Sequence, residues 1–84
     1  MNTTTVRIKL APFGAHQVTL SLEPTGMTFD LQPSDWFIVE IVSQDPDLIE
    51  IGHNPEYIAI GTVGVSLIRV YDREGQLVHE TDVV

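Results

Sequence analysis

With 84 residues the chain is long enough for one domain around a small core, burying somewhat more than ~60% of its extended surface. Four Lys and Arg against twelve Asp and Glu give a net charge of -8, which removes the basic stripe that binding to nucleic-acid phosphates requires. The absence of cysteine excludes disulfides and thiolate metal sites, so stability rests on packing and hydrogen bonds alone.

The opening "MNTTTVRIKL" lacks the charged-then-apolar order of a secretory signal, and no apolar run approaches the ~18 residues of a membrane span. A soluble, cytoplasmic chain is therefore the expectation, and the glycosylation sequon at Asn2 is read as chance. Val6, Ile8 and Leu10 alternate with Arg7 and Lys9, a period of two that predicts a half-buried strand. The same pattern recurs in Val18, Leu20 and Leu22, and again in Met27, Phe29 and Leu31. Between these two runs, "EPTG" sets Pro24, with its fixed φ, before Gly26, which tolerates positive φ, and so predicts a tight hairpin.

Further strands are predicted at Trp36 to Ser43, Leu48 to Ile51, Tyr57 to Ile60, Val65 to Asp72 and Leu77 to Asp82, the last two joined by the turn "DREG". All five prolines fall between apolar segments, where a missing amide donor disturbs no ladder. "DPDL" and "NPEY" each carry the residue order that starts a helix, so each is a candidate single helical turn. Seven to eight short, mostly antiparallel strands about ten residues apart define an all-β fold, a small sandwich with a partly closed barrel as the alternative. The whole chain, 1–84, reads as a single domain.

Charge is unevenly spread. From Leu10 to Ile68 there is no lysine or arginine, while that span holds eight acids: Glu23, Asp30, Asp35, Glu40, Asp45, Asp47, Glu50 and Glu56. An anionic middle serves solubility in its plainest role. In a sharper role it complements a basic protein, as an acidic inhibitor or immunity protein covers a cationic channel. The two differ in one respect: a binding charge should surround an apolar anchor.

The anchor candidate is "WFIVEIV", apolar on both faces of its strand. Phe37, Val39 and Ile41 form one row, and Trp36, Ile38, Glu40 and Val42 the other. If the first row is core, the second presents a tryptophan, two aliphatics and a carboxylate to a partner. Alternatively the strand is covered on both sides and Glu40 pairs with Arg69 of "LIRVY". The candidate protein-binding set is accordingly Trp36, Ile38 and Glu40, with Asp45, Asp47 and Glu50 as surrounding acids.

Chemistry-bearing motifs are sparse. His16, His53 and His79 lie in separate segments with no shared short spacing, each read as a turn or surface residue. Weak metal candidates are Asp45, Asp47 and Glu50 in "DPDLIE", which lacks the glycine and distal glutamate of a calcium loop, and His53 with Glu56. No nucleophile elbow or phosphate loop occurs, and a domain this small has little room for a substrate cleft. The expectation is a non-catalytic interaction module without cofactor, whose partner is a basic protein. The competing classes are a small-ligand or metal-binding domain and a homo-oligomer built by pairing strand edges.

Overall fold

The computed structural model describes residues 2–83 and contains eight strands. They are β1 (Thr4–Leu10), β2 (Val18–Glu23), β3 (Met27–Leu31), β4 (Phe37–Ser43), β5 (Glu50–His53), β6 (Tyr57–Gly61), β7 (Ser66–Tyr71) and β8 (Leu77–Val83). The first sheet has the order β1-β4-β7-β8 and the second β3-β2-β6-β5. Every pairing is antiparallel except β2 with β6. Two separate four-stranded sheets make a sandwich, and the barrel alternative is not adopted. Among the described residues no helix is long and apolar enough to cross a membrane.

The period-two reading places the core correctly except at Met27, which lies 41% exposed at the hairpin end of β3. Leu20 and Leu22 of β2, Leu31 of β3 and Ile60 of β6 meet Val39 and Ile41 of β4 and Ile68 and Val70 of β7, all fully buried. Each such side chain contributes on the order of 1.5 to 3 kcal/mol relative to exposure. Toward the β3 and β8 side the Phe29 ring meets the Phe37 ring edge-on, with centroids 5.7 Å apart, and the His79 ring at 5.6 Å.

The predicted hairpin forms as read. Leu22 pairs with Met27, Gly26 has φ 76°, and its N–H donates to the Leu22 carbonyl at 2.8 Å. The "DREG" turn is held by Asp72, whose Oδ1 accepts from the Glu74 and Gln76 amides at 3.0 and 2.9 Å.

Two local expectations are corrected. "DPDL" does make one 3-10 turn over Pro46–Leu48, with the Leu48 N–H donating to the Asp45 carbonyl at 3.0 Å. Leu48 is therefore consumed by the turn, and the fifth strand runs over Glu50–His53 instead of Leu48 to Ile51. "NPEY" makes no helical turn, because Asn54 Oδ1 accepts from the Glu56 and Tyr57 amides at 2.7 and 2.9 Å and sends the chain straight into β6. Trp36 lies just before β4, where its amide donates to Asp35 Oδ1 at 2.8 Å.

Far-ultraviolet dichroism should therefore be β-dominated, with one cooperative thermal transition unchanged by reductant. A helix content above roughly a third of the residues would contradict this architecture.

Candidate interaction face on the first sheet

β4 lies between β1 and β7, so its inward row reaches the core and its outward row lies in the middle of a broad sheet face. Val39, Ile41 and Ser43 are buried inward; Trp36, Ile38, Glu40 and Val42 point outward and are half-buried by their neighbours on the same face. Among the described residues no further element packs over this side. Glu40 interrupts the apolar run because its side chain belongs to the solvent face.

Register explains what Glu40 does there. Arg7, Glu40, Arg69 and Glu80 stand side by side across β1, β4, β7 and β8. Arg7 Nε lies 3.7 Å from Glu40, Arg69 Nη1 3.1 Å from Glu40, and Arg69 Nε 2.7 Å from Glu80. The result is a row of alternating sign across the whole sheet, with the Glu40 side chain 14% exposed at its centre. Glu40 pairs with Arg69, as one of the two readings expects, and it stands on the same outward face as Ile38 and Tyr71. Hydrogen bonds to Glu80 first and to Glu40 second raise the Arg69 pKa above its ordinary value, against a smaller desolvation effect. That contribution is present below the ordinary arginine value wherever the partner carboxylates carry their charge, and it is lost as pH rises past the raised value.

Apolar rows flank the charged row. On one side Ile38 pairs with Tyr71, on the other Val42 with Leu67. Trp36 extends the first of these rows, and Lys9 Nζ lies 4.6 Å from the centre of its ring, while the Arg7 guanidinium lies 5.7 Å from that of Tyr71. Arg7, Trp36, Ile38, Tyr71 and the turn Asp72 to Gly75 line a shallow concavity of about 410 Å³.

Asp45, Asp47 and Glu50 do not lie beside Trp36, whose concavity is bordered instead by Asp72 and Glu74. Asp45 and Asp47 lie in the crossover beyond the far end of β4, and Glu50 lies on β5, the edge strand of the other sheet. The candidate binding set is thus split, and the expectation of an anchor ringed by acids is corrected. All four cations belong to the first sheet, with Arg7 and Lys9 on β1, Arg69 on β7 and Arg73 in the β7–β8 turn. The strands of the second sheet contain Glu23, Asp30 and Glu50 and no lysine or arginine. Tyr71, Leu67, Arg7 and Lys9 were missed as members of the face, whereas Arg69 is the partner that one reading gives Glu40. The alternation in "LIRVY" groups Leu67, Arg69 and Tyr71, but their placement beside Trp36 depends on strand order, which no local pattern carries.

The weak metal candidates do not converge. Among the described residues no group of three or more His, Asp or Glu side chains is placed to hold an ion. His53 pairs in register with Ile58 and lines an apolar cleft with Leu10, Phe13 and Ile51, whereas Glu56 borders the outer face of the second sheet beside Thr19 and Tyr57. The Asn54 turn separates them. His16 and His53 are exposed, as read, but His79 points inward against Phe29, with Nε2 buried and without a hydrogen-bond partner among the described residues. Millimolar calcium should accordingly shift the melting temperature slightly and magnesium equally, through screening of the anionic segments. A large calcium-selective shift abolished by Asp47→Ala would contradict this.

Comparison with protein-family models, with curated proteins and with solved structures finds no match to this chain.

Proposed function

We propose that the protein is a non-catalytic interaction module that meets a protein partner through the outer face of its first sheet. The observation that carries this reading is the placement of the only tryptophan, with Ile38 and Tyr71, on a sheet face that no other element covers among the described residues. Trp, Tyr and Arg are the residue types that dominate binding energy when buried at the centre of an interface. The charges beside them are already paired in the plane of the sheet, which lowers the penalty of covering them.

A second reading keeps the basic partner and moves it to the second sheet. Glu23, Asp30 and Glu50 there, with Glu56 just before β6, form a side free of lysine and arginine that steers cations.

A photoreactive residue placed at Ile38 tests the first reading against the same residue at Ser21, on the outer face of the second sheet. In extracts of cells that make the protein, position 38 should give a discrete adduct with a protein, either a second copy or another chain. An adduct from position 21 and none from 38 would move the function to the second sheet.

A further inference from the structure

We propose that the occupant of this face is a second copy of the chain, packed face to face about a two-fold axis that runs along the strands between β4 and β7. The inference rests on the reading of the face given above and names its partner.

The charged row is the first argument. From β1 to β8 it reads plus, minus, plus, minus, in Arg7, Glu40, Arg69 and Glu80. A two-fold axis lying in the interface along the strands reverses the order of strands in the second copy and keeps each row at its level. Arg7 then faces Glu80 of the other copy and Glu40 faces Arg69, so every charge meets its opposite. An axis across the strands would instead set Arg7 over Arg7 and Glu40 over Glu40, like over like. Charge alone selects the first arrangement.

The apolar rows agree with it. The same operation lays Ile38 over Tyr71 and Val42 over Leu67, and brings Leu77, exposed on β8 and across from Tyr71 in register, over Lys9 beside Trp36. Strands of the two copies stay nearly aligned, as sheets packed face to face require.

Net charge points to the same face. The strands of the first sheet carry Arg7, Lys9 and Arg69 against Glu40, Glu80 and Asp82, three of each sign and zero net. The strands of the second carry three acids and no lysine or arginine. Two chains of net charge -8 approach with least repulsion through their first sheets.

Size sets the strength. Four strands ~4.8 Å apart and about seven residues long cover on the order of 400 Å² per copy. That is about half of a standard interface, so the dimer exchanges and its dissociation constant is micromolar or weaker.

Sedimentation equilibrium of the full chain, from about 10 µM to about 1 mM, tests the proposal. The average mass should rise with concentration from 9.3 kDa toward twice that value. Arg7→Glu alone and Glu80→Arg alone should each weaken association by about tenfold or more, and an equimolar mixture of the two should restore it, because only the mixed pair sets opposite charges across the axis. A mass fixed at 9.3 kDa throughout, or a mixture no tighter than either variant, would overturn the proposal. If a variant fails to fold, amide shifts of the unchanged chain on dilution decide. Shifts clustered at Ile38, Val42, Leu67 and Tyr71 support the face-to-face dimer, and shifts confined to the free edges of β1 and β8, or absent, overturn it. A monomer whose Trp36 remains open to quenchers removes the second copy and leaves the interaction face. A shielded Trp36 whose truncation unfolds the chain removes both.

Discussion

Ile41→Ala should lower the melting temperature by on the order of 10 to 30 °C, while Ile38→Ala, three positions earlier on the same strand, should lower it by only a few degrees. Ile41 is fully buried, paired with Val6 on one side and Ile68 on the other. Truncating a buried isoleucine costs about 2 to 5 kcal/mol, a large share of the roughly 4 to 13 kcal/mol available to a domain of this length. Each kcal/mol moves the transition of so small a domain by about 4 to 8 °C. Ile38 lies on the outer face, half-exposed, so its loss opens no cavity. Equal effects at the two positions would mean that both faces of β4 are core.

Charge reversal at the centre of the ion row should be the next largest effect. Glu40→Arg turns plus, minus, plus, minus into three adjacent cations and one anion, breaking the contacts with Arg7 and Arg69 and adding two repulsive ones. The cost should be about 2 kcal/mol, since partly exposed pairs contribute up to ~1 kcal/mol each and like charges opposite one another on neighbouring strands are unfavourable. Glu50→Arg makes the same change in net charge. Glu50 lies exposed on the edge of the second sheet and has no ion pair among the described residues, so that substitution should be neutral or slightly stabilising. Chemical denaturation of the two variants separates a local row from a general charge effect. If both destabilise equally, the row contributes nothing specific.

The contrast between local and long-range information explains what could be read from the chain itself. Side-chain alternation is a property of one strand, so Val6, Ile8 and Leu10, or Leu20 and Leu22, declare their inward face without knowledge of any neighbour. The Pro24 and Gly26 hairpin is likewise a four-residue matter. Strand order is not local. Nothing in "VRIKL" says that it lies beside "FIVEIV", or that "LIRVY" flanks the other side, and the ion row exists only once both pairings are made. The anionic middle was legible as a count, yet its distribution in space was misjudged. β4 belongs to that cation-free span, but it pairs with β1 and β7, whose cations lie outside the span, and they bring Lys9 and Arg7 toward Trp36 and Arg69 to Glu40. The boundary error at β5 has a smaller cause, since Pro46 and the Asp45 carbonyl divert Leu48 into a turn before the ladder begins.

The central claim is that Trp36 and its row form an open face of the folded monomer, and the single indole makes that directly measurable. Acrylamide and iodide quenching of the dilute monomer should show a red-shifted emission reached readily by both quenchers, because an indole at the edge of an uncovered sheet face is in contact with water. Trp36→Ala should leave the unfolding transition within a few degrees of the unchanged chain. A blue-shifted emission shielded from both quenchers, together with a Trp36→Ala chain destabilised as severely as Ile41→Ala, would contradict the account and return the tryptophan to the core.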